Sequence, residues 1–192
     1  TQAISRGISA EGGLFVPETL PSITLDTIQS MTGMSYVERA KYVLSLFLTD
    51  FTPEEIAYCA ENAYTTEKFG SDKIAQISKV EPGEYLLELW HGPTCAFKDY
   101  ALQLMPKLLV EAKKNLGRTE ITRILVATSG DTGKAALAGY ADLDGIEIEV
   151  FYPNAGTSEI QHLQMATQKG ENVQVYAVEG NFDDAQTGVK RV

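Results

Sequence analysis

Residues 121–154 read ITRILVATSGDTGKAALAGYADLDGIEIEVFYPN. An apolar run, Ile121 to Thr128, ends at a loop, Ser129-Gly130-Asp131-Thr132-Gly133. Lys134 to Leu143 then carries small residues, Ala135, Ala138 and Gly139, at helical spacing, and a second apolar run spans Ile146 to Tyr152. The unit recurs: Pro153 to Gly156 form a loop and a helix is predicted from about Ser158 to Lys169. A third strand covers Val173 to Val178, with a turn at Glu179-Gly180-Asn181 and a helix from near Asp183. Strands alternating with helices of this length pair in parallel through right-handed crossovers. The expected fold is therefore α/β, and such sheets bind ligands at the carboxyl ends of their strands.

The Ser129 to Gly133 loop joins a strand to a helix start, and its glycines let backbone amides approach an anion without side-chain obstruction. It reads as a carboxylate or phosphate cradle, or else as a plain tight turn. Gly180-Asn181-Phe182-Asp183 lacks a second glycine and reads as a helix cap, with Asp183 or Asp184 at the positive end of the dipole.

Upstream, residues 84–105 read EYLLELWHGPTCAFKDYALQLM. Tyr85 to Trp90 are expected to form a mostly buried strand, broken by Gly92-Pro93. From about Ala96 the spacing Phe97, Ala101, Leu104, Leu108 follows the helical period. Lys98 then falls in a first helical turn, where the helix dipole disfavours an ammonium and a neutral amine suits Schiff-base chemistry; Asp99 opposes the shift if its carboxylate lies within a few ångströms. The alternative is a solvated surface charge. His91 offers either a structural hydrogen bond or acid-base chemistry.

Residues 1–22 are rich in glycine and proline and read as loop and edge structure, with Leu14-Phe15-Val16 as one short strand. A short helix is expected from Thr24 to Met31. Ser35 with Glu38 and Thr52 with Glu55 are capping boxes, the second with Pro53 at the first helical position; their helices should reach about Leu48 and Phe69. Tyr36, Tyr42, Phe47, Phe51, Tyr58 and Tyr64 are expected to pack in or beside these helices. The expected division is a mainly helical region, residues 1–79, followed by the α/β region, residues 80–192.

With 44% apolar and 22% charged residues, the 192-residue chain has ordinary globular composition. A net charge of -10 argues against nucleic acid and anionic lipid, which recruit Lys and Arg. Cys59 and Cys95 are too few for a disulfide framework or zinc site, and a reducing, cytoplasmic setting is expected, with no membrane span or secretory signal. The start at Thr1 and the helix-like end fit part of a longer protein.

HGPTCAFKDYA, residues 91–101, resembles the signature of threonine synthases, pyridoxal 5'-phosphate enzymes of the tryptophan-synthase-β type (fold type II). His91, Gly92, Pro93, Thr94, Ala96, Phe97, Lys98 and Asp99 all stand in place, with Cys95 at a variable position. RGISAEGGLFVPE (6–18), VATSGDTGKAAL (126–137) and GNFDDAQ (180–186) resemble further stretches of that family. The resemblance implies conversion of O-phosphohomoserine and water to threonine and phosphate. Lys98 would hold the cofactor covalently and shuttle protons at the α and β carbons, with Phe97 and Asp131 as further cofactor contacts. Ser129, Gly130, Asp131, Thr132 and Gly133 would grip the substrate carboxylate. Many relatives carry asparagine where Asp131 stands, facing the pyridine hydroxyl. A phospho-lyase acting on another amino-acid phosphate, or a non-catalytic relative, are the alternatives. No glycine-rich loop suited to the cofactor phosphate and no hydroxyl partner for the pyridine nitrogen is recognised in these residues, so the stretch alone is expected to be inactive. The oligomeric state is not legible.

Overall fold

The chain folds as two units, Thr1–Glu88 with Lys107–Arg118 and Leu89–Pro106 with Thr119–Val192, in the computed structural model, which describes residues 1–192. The first unit opens with α1 (Gln2–Arg6) and a single bridge between Ile8 and Leu14 in place of a strand over 14–16. Next come α2 (Leu25–Ser30), capped by the Thr24 hydroxyl, and α3 (Tyr36–Phe47). Both expected capping boxes form: Ser35 and Glu38 exchange hydroxyl and carboxylate bonds with each other's amides, as do Thr52 and Glu55 at the start of α4 (Pro53–Ala63). The helix expected to reach Phe69 instead stops at Ala63. A fresh cap, the Thr65 hydroxyl accepting from the Lys68 amide, starts α5 (Thr66–Phe69), which Gly70 ends at φ 67°. Phe51, Ile56, Cys59, Ala60, Tyr64, Phe69 and Ile74 form the core of this unit with Leu108, Leu109 and Ala112. Tyr64 meets Tyr36 edge to face at 4.9 Å. Tyr42, Phe47 and Tyr58 are less enclosed, Phe47 and Tyr58 being exposed.

The unit also holds β1 (Gln76–Glu81) and β2 (Glu84–Glu88), an antiparallel hairpin in which Gln76 faces Glu88 and Lys79 faces Tyr85. Lys79, where the sequence reading divides the chain, lies inside β1. The expected buried strand over Tyr85 to Trp90 is corrected. β2 ends at Glu88, and Tyr85, Leu86, Leu87 and Trp90 are all more than half exposed, because a two-stranded ribbon leaves both faces open. The strand preceding Lys98 is thus no member of the parallel sheet.

In the second unit the continuous helix expected from Ala96 past Leu108 is two helices, α6 (Asp99–Leu102) and α7 (Met105–Asn115). Pro106 explains the break: its ring clashes with the preceding turn in a helix interior but is accommodated in a first turn. From Lys107 onward α7 belongs to the first unit. The sheet is β3 (Thr122–Ala127), β4 (Ile146–Pro153) and β5 (Val173–Val178), parallel and in that order, joined by α8 (Asp131–Tyr140) and α9 (Glu159–Ala166) and followed by α10 (Phe182–Arg191). Thr122 pairs with Ile146 and Ile148 with Val173.

Central β4 shows two faces. Ile146, Ile148, Val150 and Tyr152 are buried on the face that α8 covers, where a Cβ at Gly133 would lie 2.9 Å from Val150. On the other face Arg123 pairs with Glu147 at 2.7 Å and Glu149 at 3.2 Å, and α10 roofs a cavity of about 410 Å³ over Leu125, Glu149 and Phe151. Asn181 and Asp184 form a third capping box at the start of α10, the reading expected for that stretch. No helix is long and apolar enough to cross a membrane.

Candidate active site

Lys98 stands on a turn wound around one carboxylate. Asp99 is fully buried; its Oδ2 accepts from the amides of Thr94 (2.9 Å) and Ala96 (3.4 Å), and its Oδ1 accepts from the Thr94 hydroxyl (2.8 Å). Three donors satisfy a buried charge that would otherwise be costly to desolvate. Gly92 makes room for it, since an ideal Cβ there would lie 2.4 Å from both Cβ and Oδ2 of Asp99. Cys95 closes the turn by donating its amide to the Gly92 carbonyl at 3.1 Å, with φ at 58°. Outside this knot stand Phe97, exposed, and Lys98, half-buried with its Nζ 4.3 Å from the centre of the Phe97 ring. The His91 ring lies 5.6 Å from that of Trp90.

Two expectations change. Lys98 caps α6 instead of lying in its first turn, and four helical residues supply little macrodipole. Asp99, set against the lysine in the sequence reading, points its oxygens at Thr94 and Ala96.

The second loop follows β3. Thr128, buried, accepts from the amides of Gly130 (3.0 Å) and Gly133 (2.9 Å) through one hydroxyl oxygen. Two amides of the expected anion cradle are therefore used internally. Those of Ser129, Asp131 and Thr132 are left over, the last two in the first turn of α8 where the helix supplies no acceptor. α8 thus begins three residues before the position expected. Gly130 has φ 148° and ψ -75°, a conformation open to glycine. Asp131 Oδ1 accepts from Gln161 Nε2 at 2.6 Å and pairs with the ammonium of Lys134 at 3.3 Å; Lys134 is buried, while Ser129 and Thr132 are exposed.

These two loops are fixed to each other through backbone contact. A Cβ at Gly139 on α8 would lie 1.9 Å from the Leu102 carbonyl oxygen, so α6 rests directly on α8. Gln164 on α9 adds a bond from its Nε2 to the Thr94 carbonyl at 3.3 Å. Sequence reasoning missed Thr128, Gln161, Gln164 and the contact at Gly139. A hydroxyl residue just before a Ser-Gly loop is a recognisable turn signal for Thr128; the glutamines carry none until their partners are known.

Residues 1–64 match the family described as "Threonine synthase N terminus". The threonine synthase of Pseudomonas aeruginosa is 40% identical over 185 residues, 96% of this chain. Along its whole length the chain is similar to the amino-terminal part of threonine synthases. A crystal structure of pyridoxal-phosphate-bound threonine synthase from Brucella melitensis superposes with a TM-score of 0.91 at 36% identity, covering 99% of this chain and 40% of that one. Threonine synthase-like 1 of Homo sapiens is 36% identical over 200 residues, 100% of this chain and 26% of that protein. The chain spans 39% of the length of the Pseudomonas threonine synthase. The α/β architecture with its parallel three-stranded sheet matches the corresponding region of the Brucella threonine synthase structure.

Proposed function

We propose that the protein of which these residues form the described part converts O-phospho-L-homoserine and water to L-threonine and phosphate, with pyridoxal 5'-phosphate as cofactor. The observation that carries this reading is the turn from Gly92 to Asp99, which spends its polar backbone on one buried carboxylate and leaves a primary amine outside. The residues fit the cofactor's chemistry: an aldehyde needs an amine on a fixed backbone, and an amino-acid carboxylate needs unclaimed amides beside it. Lys98 supplies the first; Asp131 and Thr132 supply the second. Bound through its aldehyde, pyridoxal phosphate supplies the electron sink for carbanion chemistry.

The chain's own residues have separate tasks. Lys98 would hold the cofactor, and its amine would move protons at the α and β carbons of the substrate. The Ser129 to Gly133 loop orients the carboxylate, and Phe97 and Asp131 are further cofactor contacts. Phosphate leaves from the γ carbon and water adds at the β carbon, so atoms balance without an oxidant. We assign the reaction to a cytoplasmic setting. A second reading is a phospho-lyase acting on another amino-acid phosphate, and a relative described only as threonine synthase-like leaves the substrate open.

The test uses the whole protein. Phosphohomoserine should yield threonine and phosphate in equal amounts, and borohydride should fix the cofactor to Lys98. Lys98→Ala should abolish both. Attachment at another lysine rejects the lysine assignment, and phosphate release without threonine favours the second reading.

A further inference from the structure

Helix α9 reads in sequence as a crossover between strands, yet it carries the two side chains that touch both loops. Gln161 and Gln164, three residues apart, share one helix face. Gln164 donates to the Thr94 carbonyl at 3.3 Å, and its Oε1 is buried without a partner. Gln161 donates to Asp131 Oδ1 at 2.6 Å, and its Oε1 fills the space a side chain at Gly130 would need, 2.1 Å from an ideal Cβ. The backbone beneath it is fixed as well, because the Gln161 amide donates to the Ser158 hydroxyl that caps α9.

We propose that Gln161 is a positioning residue: its side-chain amide holds Asp131, and with it the Ser129 to Gly133 loop, so that the Asp131 and Thr132 amides keep a fixed spacing for a ligand carboxylate. The inference rests on the proposed reading of that loop as the substrate-carboxylate site. Its physical content is the donor. An amide at position 161 satisfies one oxygen of Asp131 without adding charge, whereas a carboxylate there would meet Asp131 at hydrogen-bond distance, and two such groups either share a proton or separate.

Several ionisable groups lie on the elements packed against α8. Lys134 is on α8 itself and pairs with Asp131. Near α6, Lys98 lies over Phe97 and Asp99 is enclosed by Thr94 and Ala96. On β4, Glu147 and Glu149 pair with Arg123 on the opposite sheet face. On α9, Glu159 lies in the first turn and the His162 ring lies 5.4 Å from that of Tyr152. Lys134 is the charge bonded to Asp131, and Gln161 is its neutral partner.

The experiment measures binding of the phosphonate analogue of O-phosphohomoserine, in which a methylene replaces the bridging oxygen so that phosphate cannot leave. Calorimetry on the whole protein with cofactor bound compares wild type, Gln161→Met and Gln161→Glu at pH 6 and pH 8, each against wild type at the same pH. Loss of a hydrogen bond to a charged group should weaken binding roughly tenfold in Gln161→Met at both pH values. Gln161→Glu should lose roughly tenfold or more at pH 8 and recover to within about threefold at pH 6, as the carboxylate pair takes up a proton. Wild type that fails to bind the analogue overturns the functional reading. Wild type that binds, with Gln161→Met matching it or Gln161→Glu losing affinity equally at both pH values, overturns the positioning role alone. Should Gln161→Glu not fold, Gln161→Met decides: weaker analogue binding with cofactor affinity retained supports the inference, and parallel or absent losses reject it.

Discussion

Replacing Gly139 with alanine should disturb the candidate site from a distance. An ideal Cβ there lies 1.9 Å from the Leu102 carbonyl oxygen and 3.3 Å from Pro106 Cγ. A comfortable C···O approach is roughly 3.3 Å, so the deficit is roughly 1.4 Å. The obstructing atom is backbone, with no rotamer to change, and α6 or α8 must move. Overpacking of this kind costs about 1–3 kcal/mol. The displaced helix is only Asp99–Leu102, directly after Lys98, so the shift reaches the lysine turn almost undiminished. A misplacement of about 1 Å can lower turnover ~100-fold. Urea unfolding of the whole protein should show a lower midpoint at unchanged slope. Turnover of phosphohomoserine should fall further than the stability loss explains. Gly188→Ala in α10 is the control, because nothing lies within 4 Å of its Cβ and loss of a helical glycine should stabilise by about 0.5–1 kcal/mol. A Gly139→Ala protein that unfolds and turns over like wild type would refute the close contact and the coupling drawn from it.

Asp99→Ala removes the acceptor of three donors and should destabilise by about 3 kcal/mol or more, while Asp99→Asn, which keeps one acceptor oxygen, should cost less; equal unfolding midpoints would contradict the buried carboxylate knot. Iodoacetamide at pH 8 should modify exposed Cys95 and spare Cys59, which is fully buried and whose thiol burial pushes up to about 12, as peptide mapping before and after unfolding will read. Burial, and then the charge of Lys107, lower the Lys68 amine to about 8, partly offset by the charge of Glu67. Above that pH the unfolded chain holds the extra proton, so stability should rise from pH 8 toward the unfolded value of about 10.4, and Lys68→Met should flatten the rise measured by urea midpoints across that range. An unaltered slope would reject the assignment.

What was legible in the sequence was local. Ser35 with Glu38 and Thr52 with Glu55 specify helix starts because the two partners lie three residues apart, and the strands of the parallel sheet show as apolar runs bounded by glycine and polar turns. The exposed hairpin was misread because an apolar run such as Tyr85 to Trp90 says nothing of how many strands will cover it. Pro106 was a visible signal of the helix break, outweighed by the regular spacing of Phe97, Ala101, Leu104 and Leu108. The lysine turn and the glycine loop are read from local pattern and from resemblance. Their supports are not, because Gln161 to Asp131 and Gln164 to Thr94 are contacts across 30 and 70 residues that only the fold brings together.

Both loops are built on one device. In each, a single buried side chain collects the backbone amides that would otherwise be unsatisfied: the Asp99 carboxylate gathers those of Thr94 and Ala96, and the Thr128 hydroxyl gathers those of Gly130 and Gly133. A turn whose amides point inward at one acceptor has few alternative conformations, so the groups it leaves outside are held without packing of their own. Those groups are the Lys98 amine at one loop and the Asp131 and Thr132 amides at the other. The charge types explain the choice of centre. The loop proposed to bind an anion has a neutral hydroxyl at its heart, so no buried negative charge competes for the nearby donors. The turn carrying a cation has a carboxylate, whose field acts on Lys98 only after three hydrogen bonds have satisfied it. Rigidity and electrostatics are thereby assigned to separate atoms, and the parallel sheet's part is to carry Thr128 at the end of β3 and to present α8 as the surface on which α6 rests.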